Sequence, residues 1–124
     1  MDARRAFGNQ GEEMAARFLE AKGLVIEQTQ YRTPFGEIDL VCRDGREVVF
    51  VEVKTRRTRT YGYPEEAITP AKFRTLEKCA LAYLETCGLA GGAWRIDVVS
   101  VEVLPEGDPR VTHFPAIDSP AGNW

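Results

Sequence analysis

Residues 36–54, GEIDLVCRDGREVVFVEVK, decide the fold. Two runs rich in Val, Ile and Phe flank Asp44-Gly45, a dipeptide suited to the positive-φ positions of a tight hairpin turn. The reading is an antiparallel pair, one strand over 37–43 and the next over 47–54. The second run opens without a polar residue, which implies burial on both faces, so Glu52 and Lys54 arrive at the end of an otherwise covered strand. Alternation sets Val49, Val51 and Val53 on one face and Val48, Phe50, Glu52 and Lys54 on the other. A two-residue loop at Asp44-Gly45 puts Arg43 opposite Arg46 and Asp39 diagonal to Glu52. A four-residue loop over 44–47 puts Arg43 opposite Val48 and Asp39 directly opposite Glu52. In both registers the acids share a face with their stems roughly 5 to 8 Å apart; only an odd-length loop separates them.

Upstream, Met14, Ala15, Phe18 and Leu19 recur at helical spacing, giving a helix over about 9–22 that Gly23 stops. Residues 24–32 read as extended and 33–36, Thr-Pro-Phe-Gly, as a turn. Downstream, Thr69 is an N-cap with Pro70 at the first helical position, and Phe73, Leu76, Ala80, Tyr83, Leu84 and Cys87 carry the helix to Gly88. Residues 94–104 alternate as a further strand, and the irregular tail from about 105 leaves room for a short edge strand over 111–114. The order αβββαβ(β) predicts a mixed sheet flanked by helices, an α/β or α+β class, in one domain over 1–124.

With 124 residues, 44% of them hydrophobic, the chain has material for a single core. No run approaches the roughly 20 apolar residues of a membrane span and the N-terminus lacks a signal-type apolar stretch, so a soluble cytoplasmic protein is expected. The three cysteines, Cys42, Cys79 and Cys87, show no CxxC spacing, which disfavours both a disulfide framework and structural zinc. A net charge of −3 is not the footprint of a protein held on nucleic acid by charge alone. The charge is uneven, however: Lys54, Arg56, Arg57 and Arg59 follow one another with no acid among residues 54–60.

Two carboxylates with no His or Cys nearby make an all-oxygen donor set, which suits Mg²⁺ or Mn²⁺ better than zinc. Such an ion activates water and polarises a phosphoryl oxygen. Lys54 would then orient water or stabilise charge gathering on phosphorus oxygens. The plain alternative is an exposed salt pair, because a Glu-x-Lys spacing is permissive.

Larger motifs sharpen the choice. Gly8-x-x-Gly11-Glu12-x-x-Ala15, Gly36-Glu37-Ile38-Asp39-Leu40, Phe50-Val51-Glu52-Val53-Lys54-Thr55-Arg56, Gly62, Glu66-Ala67-Ile68, Lys72 and Arg95-Ile96-Asp97-Val98-Val99 together resemble the YraN-like family, identified as a member of the PD-(D/E)xK nuclease superfamily that includes archaeal Holliday-junction resolvases. The likeness runs from about Gly8 to Val103. This chain has Gln30 where the family usually has Asn, and Ile38-Asp39 where the superfamily has Pro-Asp. The resemblance implies a restriction-endonuclease-like fold, Asp39 and Glu52 as metal ligands, Lys54 as the catalytic lysine and Glu12 as a third carboxylate. It implies a metal-dependent endonuclease acting on DNA, branched DNA included; the alternative is a nucleic-acid-binding module that keeps the fold without cutting.

Locally, Glu12 has a second explanation, a capping box with Asn9 as N-cap. Lys72 opposes the dipole of the helix it opens, which phosphate contact or a solvated side chain would explain. Arg56, Arg57 and Arg59 are candidates for tracking a phosphate backbone, and otherwise a solvated loop. His113 and Asp97 read as structural. A two-fold dimer would suit cleavage of paired strands, and no feature of the sequence marks its surface.

Overall fold

The computed structural model describes residues 3–57 and 68–117. Helix α1 (Ala3–Ala21) leads into β1 (Val25–Thr33), β2 (Gly36–Asp44) and β3 (Glu47–Arg57); α2 (Pro70–Thr86), β4 (Trp94–Val103) and β5 (Arg110–Phe114) follow. The five strands form one sheet in the order β1-β2-β3-β4-β5. All neighbours are antiparallel except β3 and β4, which run parallel because α2 carries the chain back between them. The class is the expected one, a mixed sheet with a helix on each face.

Of the two even registers, the hairpin takes the second: Arg43 lies opposite Val48, and Asp44 pairs with Glu47 across Gly45-Arg46. Gly45 sits at φ 62°, the left-handed conformation for which glycine is suited. At the start of α2, the Thr69 hydroxyl accepts the Lys72 amide at 3.1 Å and Pro70 opens the helix.

Helix α1 begins six residues before the expected start at 9. Residues 3–8, Ala-Arg-Arg-Ala-Phe-Gly, include good helix formers without an apolar stripe, so periodicity gave no sign of them. Asn9 therefore lies inside the helix, and the capping box with Glu12 does not exist. Strand β3 likewise extends to Arg57, so Arg56 and Arg57 belong to the sheet and not to a loop.

Two apolar layers hold the molecule together. Under α1, Ala15, Ala16 and Leu19 pack on Leu40, Cys42, Val49, Val51, Val99 and Val101. Under α2, Leu76, Cys79, Ala80, Tyr83 and Leu84 pack on Ile38, Val41, Phe50, Ile96 and Val98. Edge-on rings cross the second layer, with Tyr31 to Tyr83 at 5.0 Å, Tyr83 to Phe50 at 5.6 Å and Phe50 to Trp94 at 5.9 Å between centroids. Cys42 and Cys79 are buried and Cys87 is exposed. Among the described residues, no helix is long and apolar enough to cross a membrane.

Candidate functional site

The two layers expose an irregularity in β2. Ile38 and Val41 face α2, whereas Leu40 and Cys42 face α1, so the alternation slips between Ile38 and Leu40. Asp39 is the residue at the slip. The paired register of β2 with β3 ends at Leu40 opposite Val51, and just beyond it the Val53 amide donates to Asp39 Oδ2 at 2.8 Å. A carboxylate stands there in the seam between the strands.

Glu52 lies beside it, buried at 7% exposure. Its carboxylate faces α2, where Lys72 Nζ approaches Oε2 at 3.4 Å. The neighbouring Glu52 carboxyl acts on Asp39 in the direction that favours its protonated form. Burial first, and then the charge of Glu52, push the Asp39 pKa from its ordinary 3.8 to about 8, against the pull of the Val53 amide and the Lys72 ammonium. Near neutral pH the pair thus retains a proton in a place where a cation would relieve the same repulsion.

Glu12 enters from the opposite face. Gly11 makes this approach feasible: a Cβ on it would overlap the Thr55 side chain, so α1 crosses β3 at a distance only glycine allows. Burial, followed by the charge of Asp39, raises the Glu12 pKa from 4.5 to about 7, while a hydrogen bond from the Gln30 side chain acts in the other direction. Gln30 itself is held at φ 48°, a left-handed conformation uncommon for a non-glycine residue, and its Nε2 also donates to Asn9 Oδ1 at 2.7 Å. Gln30 is a site residue that sequence reasoning met only as a departure from a family pattern. The signal was present, because Asn, the family's residue there, is among the side chains that best tolerate φ > 0.

The acids form a pair rather than a triad. Among the described residues, no three His, Cys, Asp or Glu side chains come together as a metal-ligand set. Glu12 feels the charge of Asp39 and would have to turn toward the pair to complete a set of three. Lys54 follows Glu52 by two residues on the α2 side, where alternation and the Lys72 contact both place Glu52. Lys72 is neither a free solvated lysine nor explained by phosphate alone: its ammonium is the counter-charge of Glu52. Arg57 lies over the Phe7 ring, 4.4 Å from its centroid, and Arg59 falls outside the described residues.

Asp97 and His113 occupy a separate, structural network on the other face. Asp97 is fully buried. It binds Arg95 Nε at 3.0 Å, His113 Nε2 at 2.7 Å and the Ala116 amide at 2.9 Å. Arg95 also reaches Asp44 at 3.0 Å and Glu47 at 2.6 Å, while His113 Nδ1 meets Lys22 Nζ at 2.9 Å. Both residues act as the sequence suggested.

The fold and this site define a small mixed-sheet protein with an acid pair, Glu52 buried and Asp39 half-buried, at the point where β2 and β3 part. The chain belongs to the UPF0102 family, the YraN-like family expected from its motifs. The family model, described as "Uncharacterised protein family UPF0102", matches residues 11–101, a span that contains every element from the site half of α1 through most of β4. A UPF0102 protein of Geobacter sulfurreducens is 43% identical over 110 residues, covering 89% of this chain and 86% of its own. One from Syntrophus aciditrophicus is 48% identical over 100 residues, covering 81% and 79%. A third, from Anaeromyxobacter dehalogenans, is 43% identical over 126 residues, covering 99% and 93%. The similarity thus covers between 79% and 93% of these relatives' own lengths.

Proposed function

We infer that this protein is a Mg²⁺- or Mn²⁺-dependent nuclease of the PD-(D/E)xK type, hydrolysing phosphodiester bonds in DNA. The observation that carries this is the Asp39–Glu52 pair: a buried carboxylate beside a half-buried one held by the Val53 amide, with the Asp39 pKa pushed up to about 8. Such a pair is costly to keep fully charged unless a cation joins it. An all-oxygen donor set of this kind fits a hard dication. When bound, that ion supplies positive charge that polarises a phosphoryl oxygen and makes water a stronger acid.

The side chains divide the remaining work. Asp39 and Glu52 would hold the ion, and the Val53 amide fixes Asp39 in the seam at 2.8 Å. Lys54, charged beside two acids, stabilises negative charge developing on the phosphorus oxygens. Lys72, whose ammonium balances Glu52 at 3.4 Å, would also be within the site to contact a phosphate. Glu12 adds a third negative centre from α1, and Arg56 and Arg57 continue the strand away from the acids as contacts for the backbone of the nucleic acid. Because the chain carries a net charge of −3, DNA affinity rises when Mg²⁺ masks the carboxylates.

The test is incubation of the purified protein with linear duplex, single-stranded and four-way-junction DNA, with and without Mn²⁺. Metal-dependent cleavage that Lys54→Ala and Glu52→Ala each abolish is the expected result. Absence of metal-dependent cleavage on all three substrates rejects the enzyme. Salt-sensitive DNA binding that survives Glu52→Ala, without turnover, would make the protein a binding module on a nuclease scaffold.

A further inference from the structure

Among the described residues, one buried side-chain polar atom has no hydrogen-bond partner: Ser100 Oγ, in a residue only 2% exposed. Buried hydroxyls are almost always bonded, and an exception needs a reason. Its position supplies one. On β4, Ile96 and Val98 face α2 while Val99 and Val101 face α1, so alternation directs Ser100 to the α2 side. There it is the register partner of Lys54 on β3 and of Thr112 on β5. The row below, Glu52 with Val98 and Phe114, contains the buried acid; the row above, Arg56 with Glu102 and Arg110, is charged. The two residues therefore sit at paired positions of adjacent strands, whose backbones run roughly 4.8 Å apart.

We propose that Ser100 and Lys54 form an oxyanion subsite that receives a non-bridging oxygen of a phosphate group, with the orphaned Ser100 hydroxyl as its neutral donor. This rests on the reading of the sheet end as a phosphodiester site. The chemistry is specific to an anion. An ammonium and a hydroxyl carried at paired positions of neighbouring strands offer two donors, and an anionic phosphate oxygen can accept from both. A cation would be repelled by Lys54. An apolar ligand would leave Ser100 as unsatisfied as it is now.

A hydroxyl kept unpaired for a ligand makes function and stability move in opposite directions, which a purely structural serine would not do. Thermal melts of the wild type, Ser100→Ala and Ser100→Thr are followed with increasing inorganic phosphate at fixed Mg²⁺. Phosphate should raise the wild-type melting temperature through mass action. Ser100→Ala should melt about 3 °C higher than the wild type without phosphate, and bind phosphate roughly tenfold more weakly. Ser100→Thr, which keeps the hydroxyl, should retain the phosphate response. A Ser100→Ala protein that melts lower without phosphate, or that responds to phosphate as the wild type does, overturns the proposal. DNA cleavage measured on the same samples separates the two readings. Cleavage with an unchanged phosphate response removes the subsite and leaves the nuclease; a phosphate response lost in Ser100→Ala, with no cleavage of any DNA, removes the nuclease and leaves the subsite.

Discussion

Asp39 has a folded-state pKa of about 8 against an ordinary 3.8, and the sign of its contribution follows from that difference. Between those values the folded chain keeps a proton that the unfolded chain releases. Its contribution is therefore most favourable below the unfolded pKa and is lost as the pH rises through the folded one. Glu12, raised to about 7, acts in the same direction over a narrower range. Asp39→Asn retains an oxygen for the Val53 amide and removes the titration. Relative to the wild type in chelator, its stability in urea should improve by on the order of 2 kcal/mol between pH 5 and pH 8.5. A difference that stays flat over this range would mean that the pair carries no such strain. Gln30 stores a different cost, in its backbone at φ 48°. Gln30→Asn should stabilise by about 0.5 kcal/mol and Gln30→Val should destabilise by about 1 to 3 kcal/mol, because β-branched side chains are the least tolerant of that conformation. The same order in chemical denaturation is the check; equal effects would assign the residue's role to its side-chain bonds alone.

The meeting of α1 and β3 depends on Gly11, whose missing Cβ is the space occupied by Thr55. Gly11→Ala should cost about 2 kcal/mol or more despite the better helix propensity of alanine, and Thr55→Ala in the same chain should recover part of the loss. Urea midpoints of the two single variants and the double variant test this, and simple additivity would show that the helix accommodates the methyl elsewhere. Much at this scale was readable beforehand. The Asp-Gly turn, the period of two in β3 and the Thr-Pro start of α2 are local signals, and the elements they mark lie where expected. Less visible were features that depend on neighbours. The first turns of α1 carry Arg4 and Arg5 without an apolar stripe, so nothing periodic announced them. The slip at Asp39 arises from how β2 is gripped between two layers, and the Lys72–Glu52 contact joins residues that only the packing of α2 brings together.

For the whole molecule, Asp97 is a hub outside the site. It collects Arg95, His113 and the Ala116 amide, and through Arg95 it reaches Asp44 and Glu47 at the base of the hairpin. Removing it takes one of three carboxylates from the Arg95 guanidinium, whose side chain is only 17% exposed, and leaves His113 Nε2 and the Ala116 amide without their shared partner. Asp97→Ala should lower stability by about 3 kcal/mol or more, with a urea midpoint shift as the measure. A loss below about 1 kcal/mol would show that the cluster is decorative. The slip at Asp39 has a consequence at this scale too. Because that residue touches the domains of influence of both helices, an ion seated there would rivet together two apolar slabs that the sheet otherwise insulates from each other. Amide exchange in α1 and α2 should then slow in concert when Mg²⁺ is added, as though one fastener had been tightened through the thickness of the sheet.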